Sequence, residues 1–259
     1  MANLRRELDP SFELLFVDGP FASERGPGVS RYHPGPYCSH TQGYSPADMA
    51  QAVAHLEETL QFQGPIDGIF GFSQGSALTL AYLYQQQVAG ELVPVKFACL
   101  FSAAMPCSPD HSLGASVISN LRAKEYDISD PTGRHAESLT RQEQELVDIL
   151  QRTIVHATSQ DFKFPWTNLD MYRREELHAI PRIMYPSVQA QKIQTPTVHV
   201  WGRNDFDFLI QMAELSRSTC DDSMSRTVVH SGLHDLPKRQ TEIKAVLRSI
   251  DWAMAQAFF

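Results

Sequence analysis

The stretch Ile66-Asp67-Gly68-Ile69-Phe70-Gly71-Phe72-Ser73-Gln74-Gly75 decides the fold that the sequence predicts. Its first half is a short apolar strand, and residues 76–88 after it have apolar side chains nearly all round, as in a buried helix. Between them stands a Gly-x-Ser-x-Gly turn, which lifts a serine hydroxyl above the end of a sheet. We therefore interpret Ser73 as a nucleophile. The alternative is an ordinary serine in a glycine-bearing turn.

The residues on either side of Ser73 are also expected to have defined roles in the turn. Gly71 and Gly75 are expected to be required, because a side chain there would collide with the neighbouring strand or helix. The helix that begins after Ser73 directs its N-terminal dipole and free amides towards negative charge that develops on a substrate. We therefore expect the backbone amide of Gln74 to be one donor of an oxyanion hole.

Short apolar runs alternate with amphipathic stretches along the rest of the chain, which predicts an α/β fold with a mainly parallel sheet flanked by helices. The predicted strands are residues 12–17, 66–70, 95–101, 197–201 and 226–230. One predicted helix begins after Ser45, with Asp48 completing a Ser-x-x-Asp capping pattern, and another covers residues 238–257. Residues 21–44, rich in Gly and Pro, are expected to form a loop.

Roughly ninety residues separate the third and fourth predicted strands, and so long a connection is usually functional or carries its own structure. Part of it, residues 139–154, has helical periodicity, and part is aromatic. We expect residues 104–194 to form a cap or lid insertion over the strand ends, within a single domain that spans residues 1–259. The alternative is an insertion that only extends the core.

A serine hydroxyl needs a neighbouring base to become a good nucleophile. Among ten histidines, His234 lies in the loop between the last strand and the last helix, after the serine and the acid in chain order. His230 is the main rival, but it lies in a strand, where it is expected to pack against the sheet. Asp205 follows residues 197–201 as Gly-x-x-Asp, which directs its carboxylate towards the histidine loop. Asp207 is the other candidate, interpreted as a helix cap.

Composition and charge exclude several classes of partner. Acidic residues outnumber basic ones, with a net charge of −8, which disfavours nucleic acid and anionic membranes. No apolar run is long enough to span a membrane, and the first residues lack a secretory h-region. Four widely spaced cysteines favour a reduced, cytoplasmic protein. The spacing of histidines and carboxylates predicts no metal site, and no cofactor is expected.

These segments resemble the fungal family of small serine hydrolases, the FSH-type α/β-hydrolases. Residues 67–75 are the most specific match, similar to the family's Asp-Gly-x-x-Gly-Phe-Ser-Gln-Gly. Residues 12–20 resemble the family's strand that ends in Asp-Ala-Pro. Residues 201–205 resemble its acid segment, and residues 232–237 resemble its histidine segment. The resemblance covers most of the chain and is weak over residues 104–194. It implies an α/β-hydrolase fold with Ser73, Asp205 and His234 as a catalytic triad.

The resemblance also implies a serine esterase or thioesterase of fungal secondary-metabolite or toxin biosynthesis, working through an acyl-enzyme on Ser73. Its substrate would be a small-molecule ester or acyl thioester, including an acyl chain held on a carrier protein. The candidate substrate-binding residues are Phe72 and, in the aromatic stretch, Phe164 and Trp166. Two alternatives stay open: a catalytically impaired binding protein with the α/β-hydrolase fold, and an acyltransferase that uses the same triad.

The chain departs from the family at its start. Family members begin with an extra strand near the middle of the sheet, whose following Leu-His-Gly-type loop supplies one oxyanion amide. Here Leu4-Arg5-Arg6-Glu7-Leu8 resembles the helix that comes after that loop. We therefore expect the strand and its amide to be missing. The explanations are truncation, which we favour, replacement by another segment, or an impaired protein.

Overall fold

A computed structural model describes residues 2–26, 32, 34–129, 138–162 and 169–256. The strands are β1 (Phe21–Ser23), β2 (Tyr37–Ser39), β3 (Gly68–Phe72), β4 (Phe97–Phe101), β5 (Thr197–Gly202) and β6 (Ser225–His230). The helices are α1 (Ala2–Glu7), α2 (Pro46–Gln63), α3 (Gln74–Ala89), α4 (Ala115–Ala123), α5 (Arg141–Leu150), α6 (His156–Ser159), α7 (Met171–Arg174), α8 (Asp207–Ser218) and α9 (Gln240–Gln256). A π-helical turn, Gln151–Val155, joins α5 to α6, and Leu177–Ala179 is a short 3-10 helix.

The central sheet has the spatial order β3-β4-β5-β6, and each neighbouring pair runs parallel. The predicted α/β class with a parallel sheet flanked by helices is therefore confirmed. The register pairs Phe72 with Phe101, Phe101 with Val200, and Gly202 with His230. Because the strands are parallel and in step, the loops that follow them all leave from the same edge of the sheet.

Two apolar clusters cover the two faces of this sheet. Alternate residues of β4 divide between them: Ala98 and Leu100 belong to one cluster, whereas Phe97, Cys99 and Phe101 belong to the other. The first cluster contains side chains of α2, α3 and residues 104–194, and the second contains side chains of α1 and α9. The long connection therefore shares a continuous core with two helices of the central fold.

The start of α2 has the capping pattern predicted from the sequence. The Ser45 hydroxyl accepts a hydrogen bond from the Asp48 amide at 3.2 Å, and the Asp48 carboxylate accepts one from the Ser45 amide at 3.1 Å. Both bonds satisfy amides that have no partner inside the helix. The prediction that Ser45 begins this helix is confirmed.

Two predictions for the first 44 residues are wrong. Residues 12–17 form no strand: residues 11–16 and β3 line a groove of about 730 Å³, and no backbone ladder joins these two described segments. Leu15, Phe16 and Val17 are exposed as a result. In contrast, the predicted loop over residues 21–44 contains the antiparallel pair of β1 and β2.

The buried His199 in β5 predicts an acid-sensitive stability. It is 1% exposed, and burial, with a smaller contribution from the charge of Arg217, lowers the pKa of His199 to about 3. In the unfolded chain a histidine titrates near 6.5, so the unfolded state binds the proton first. The stabilisation is therefore complete above about pH 6.5 and is lost as the pH falls towards 3.

We expect wild-type protein to lose about 2 kcal/mol more free energy of unfolding than the His199→Gln variant between roughly pH 7 and pH 5. Denaturant unfolding of both proteins across this range measures the difference. The variant controls for all other titrating groups. Parallel stability curves for the two proteins would show that His199 is not held neutral in the folded state.

Candidate active site

Ser73 occupies a strained turn between β3 and α3. Its φ of 49° and ψ of −109° are unusual for a residue with a side chain. The backbone is held on both sides: the Ser73 amide donates to the Phe101 carbonyl at 2.8 Å, and its carbonyl accepts from the Ala104 amide at 3.1 Å. Although serine commonly caps a helix, the Ser73 hydroxyl makes no capping bond to α3. The turn therefore leaves this hydroxyl free for chemistry.

The two glycines that flank Ser73 differ in their surroundings. A Cβ on Gly71 would lie 2.7 Å from the backbone N and Cα of Ser76, so the expected requirement for glycine holds there. A Cβ on Gly75 would meet no atom within 4 Å. The expectation that Gly75 is required to avoid a collision is therefore wrong, because this side of α3 faces open space.

The backbone amide of Gln74 lies at the first residue of α3. Hydrogen bonds to the helix begin only with the Ser76 and Ala77 amides, both of which donate to the Ser73 carbonyl. The Gln74 amide thus has no acceptor among the described residues, as is usual for the first turn of a helix. Its predicted role as an oxyanion donor stays a prediction that this geometry favours.

The structure brings His234 and Asp205 together. His234 Nδ1 lies 2.8 Å from Asp205 Oδ2, and Asp205 Oδ1 accepts a hydrogen bond from the Phe206 amide at 2.9 Å. The Asp205 carboxylate is buried, whereas the His234 side chain is partly exposed. A carboxylate held in this way can fix the imidazole with its proton on Nδ1, which leaves Nε2 available as a base.

The loops that carry this acid and this histidine contact each other through their backbones. The Arg203 amide donates to the His230 carbonyl at 2.8 Å, and the Asn204 amide donates to the Gly232 carbonyl at 3.1 Å. Gly202, at the start of the acid loop, lies so close to the histidine loop that a Cβ on it would overlap the carbonyls of Gly232 and Leu233. The backbone therefore fixes the relative position of the two loops that carry the carboxylate and the imidazole.

The two rival candidates, His230 and Asp207, have structural rather than catalytic surroundings. His230 is buried, its Nδ1 accepts a hydrogen bond from the Gly232 amide at 3.0 Å, and burial lowers its pKa, so the ring is an internal support of the histidine loop. Asp207 is exposed and is the first residue of α8, where its charge complements the helix dipole, but the N-cap position belongs to Phe206. Among the described residues, neither His230 nor Asp207 forms an acid–histidine hydrogen bond.

Phe72 connects the serine turn to the histidine. Its ring centroid lies 5.2 Å from that of His234, with the two planes tilted by 57°. Since Ser73 is the next residue, the two loops meet at this contact. No hydrogen bond joins the Ser73 hydroxyl to His234 in the described part of the chain. Such bonds often tighten only once substrate is bound.

The predicted substrate-binding residues have mixed outcomes. Phe72 is 40% exposed beside His234, whereas Phe164 and Trp166 lie outside the described residues. An aromatic contact that sequence reasoning missed lies next to the acid: the ring centroids of Phe162 and Phe206 are 4.7 Å apart. The sequence signal that could have indicated this contact is the position of an aromatic residue, Phe206, directly after Asp205. This contact brings part of residues 104–194 to the acid loop.

Across the residues that the structure describes, no group of three or more His, Cys, Asp or Glu side chains converges on a point that could hold a metal ion. Within those same ranges, no helix has both the length and the apolar character to cross a bilayer.

The chain is similar to several known proteins. Residues 1–246 match the profile of a family described as serine hydrolase (FSH1). The esterase alnB of Emericella nidulans is 30% identical over 252 residues, covering 95% of this chain and 87% of that protein. The serine hydrolase cnsH of Penicillium expansum is 28% identical over 241 residues, covering 89% and 95%. A solved monoacylglycerol lipase of Paleococcus ferrophilus gives a TM-score of 0.41 at 14% identity, covering 82% of this chain and 77% of that chain.

The unequal surroundings of the two glycines predict unequal effects of alanine. Gly71→Ala forces the strand away from the backbone of Ser76 and should lower the free energy of unfolding by about 2 kcal/mol or more. Gly75→Ala places a methyl group in open space within a helix and should leave stability unchanged or raise it by up to about 1 kcal/mol. Denaturant unfolding of the two variants measures both values. Equal destabilisation would contradict the close packing at Gly71.

Proposed function

The chain belongs to the serine hydrolase (FSH1) family, and from that membership we propose that it cleaves a carboxylic ester or acyl thioester through an acyl-enzyme on Ser73. The observation that carries the proposal is the 2.8 Å contact between His234 and the buried Asp205, with Phe72 placing the serine turn against the same imidazole. The three proposed catalytic residues come from loops at one edge of a parallel sheet, in the chain order Ser, Asp, His.

In the proposed acylation step, His234 Nε2 accepts the proton of the Ser73 hydroxyl as its oxygen attacks the acyl carbon. Asp205 stabilises the positive charge on the imidazole without accepting its proton. The tetrahedral intermediate carries its charge on the former carbonyl oxygen, towards which the Gln74 amide donates. Collapse of the intermediate expels an alcohol or a thiol, which takes the proton from His234.

Deacylation repeats the same steps with water as the nucleophile. His234 accepts a proton from the water, the second tetrahedral intermediate collapses, and Ser73 recovers its proton as the acid product leaves. An alcohol and a thiol leaving group make the same demands on these residues. The triad therefore supports both esters and thioesters, and the acyl group is recognised elsewhere in the site.

Three exposed apolar side chains next to the proposed catalytic residues support the proposal that the acyl group of the substrate is apolar. Each is the chain neighbour of one proposed catalytic residue: Phe72 beside Ser73, Phe206 beside Asp205 and Leu233 beside His234. They are 40%, 46% and 62% exposed. Large apolar side chains left exposed around one site mark a binding surface. Residues 104–194 are the proposed cap over this surface, supported by the contact between Phe162 and Phe206.

The proposed setting is fungal secondary metabolism, with a small-molecule ester or an acyl thioester on a carrier protein as substrate. Support comes from the match to a family of serine hydrolases and from relatives named esterase and serine hydrolase in two fungi. All four cysteines are free thiols, which supports the cytoplasmic location expected from the sequence.

The triad proposal predicts labelling of Ser73 by a fluorophosphonate probe. Stoichiometric labelling of the wild-type protein should disappear in Ser73→Ala and in His234→Ala, as mass spectrometry of the intact protein would show. Asp205→Asn should lower kcat on p-nitrophenyl butyrate by about 10⁴-fold, because the imidazole loses its orienting carboxylate. Asp207→Asn, two residues away and exposed, is the matched control and should keep wild-type activity.

A folded wild-type protein that the probe does not label would favour the non-catalytic binding protein instead. With labelling established, a panel of acyl esters and acyl-pantetheine thioesters identifies the preferred leaving group. Product analysis in the presence of alcohol and amine acceptors separates hydrolysis from acyl transfer, since both reactions use the same acyl-enzyme.

The apolar surface predicts a preference for longer acyl chains that depends on Phe206. Phe206→Ala should lower kcat/KM for p-nitrophenyl octanoate about tenfold more than for the acetate, because only the longer chain loses apolar contact. Phe62, which is also an exposed phenylalanine but lies on α2, supplies the control Phe62→Ala. Equal losses on both esters would show that Phe206 does not contact the acyl chain.

A further inference from the structure

The side chain of Gln74 bridges the serine turn and a neighbouring loop. Its Oε1 accepts a hydrogen bond from the His40 backbone amide at 3.0 Å. Its Nε2 donates to the Ser39 hydroxyl at 3.1 Å and to the Tyr44 hydroxyl at 3.3 Å. All three partners lie more than 29 residues earlier in the chain, so these bonds hold α3 to residues 39–44 rather than stabilise either one internally.

Residues 39–44, here called the anchor loop, are themselves held firmly. The Ser39 hydroxyl donates to the Thr41 carbonyl at 2.7 Å, and the Thr41 hydroxyl donates to the Gly43 carbonyl at 2.6 Å. The loop begins at the end of β2 and leads directly into the capped start of α2 at Ser45. It is therefore a fixed support for any group that binds to it.

The first turn of α3 needs such a support. A serine at the N-cap normally stabilises the helix start through its hydroxyl, but the Ser73 hydroxyl makes no such bond. The backbone of Ser73 itself is held by hydrogen bonds, but a helix start without a side-chain cap has fewer restraints beyond that residue, and a displacement there would move the amide that follows Ser73. Among the described residues, the Gln74 side chain accepts no hydrogen bond from a helix amide and is therefore not a cap, but its hydrogen bonds to residues 39–44 restrain the first residue of α3.

We infer that Gln74 is a positioning residue: its side chain binds the anchor loop and thereby fixes the Gln74 backbone amide in the direction of the oxyanion. The inference rests on the proposed function of Ser73. An oxyanion donor works only if its direction is fixed before the reaction, so small displacements are costly. The role of the side chain is separate from that of the backbone amide, which every residue except proline would supply at this position.

A second glutamine on α3 provides a matched control. Gln87 Nε2 donates to the Lys192 carbonyl at 2.8 Å, and its Oε1 accepts from the Gln194 amide at 2.7 Å. It thus holds a loop to the same helix in the same way, but at the opposite end from Ser73. Gln74→Met and Gln87→Met both remove a glutamine clamp and keep a side chain of similar length. Only the first should affect the chemistry.

The experiment compares kcat and KM on p-nitrophenyl butyrate, the rate of fluorophosphonate labelling, and the Tm of the two variants. Gln74→Met should lower kcat and the labelling rate about 10- to 100-fold and leave KM within about twofold of wild type. Gln87→Met should lower Tm and leave kcat unchanged. A folded Gln74→Met protein with wild-type kcat, or equal losses of kcat in both variants, would overturn the inference.

A double-mutant cycle with Tyr44 tests the route of the effect. Tyr44→Phe should lower kcat modestly in the wild-type background and produce no further loss in Gln74→Met, because the shared hydrogen bond is already gone. Additive losses would overturn the inference. If Gln74→Met does not fold, the kcat of Tyr44→Phe alone tests the inference, because this variant removes one hydrogen bond of the Gln74 side chain. Wild-type labelling is measured first, since its absence would reject the proposed function rather than the role of Gln74.

Discussion

The hydrogen-bonded register of four parallel strands is the constraint on which the proposed site depends. Because Phe72 pairs with Phe101, Phe101 with Val200, and Gly202 with His230, β3, β5 and β6 end at one edge of the sheet. A slip of one residue in any pair would move a loop by about 3 Å and turn its side chains to the other face. The apolar clusters on both faces prevent such a slip, and core packing therefore contributes directly to the geometry of the site.

Backbone hydrogen bonds position the loops that follow these strands. The serine turn is held by main-chain hydrogen bonds to β4 and to the residues that follow it, and the acid and histidine loops bond to each other near Gly202. Side chains then orient groups that the backbone has already placed, as Asp205 does for His234. A site built this way needs little reorganisation when charge develops on a substrate.

Sequence reasoning predicted the elements whose signals are local. The serine turn, the capped start of α2 and the parallel sheet all follow from short patterns that contain their own physical cause. The strand predicted over residues 12–17 was wrong because an apolar run becomes a strand only beside a partner, which no local pattern contains. The same limit applies to Gly75 and to the contact between Phe162 and Phe206, both of which depend on distant parts of the chain.

The long connection over residues 104–194 shares its buried side chains with α2 and α3, which has a consequence for how such an enzyme can evolve. A detachable lid could be exchanged between homologues by recombination, with the rest of the protein folding unaided. Here an exchange would remove many buried side chains from the apolar cluster to which Leu80 and Leu83 of α3 also belong. Wholesale replacement of this segment therefore has to preserve a shared core, a demand that point substitutions among the exposed residues near Ser73, Asp205 and His234 do not face.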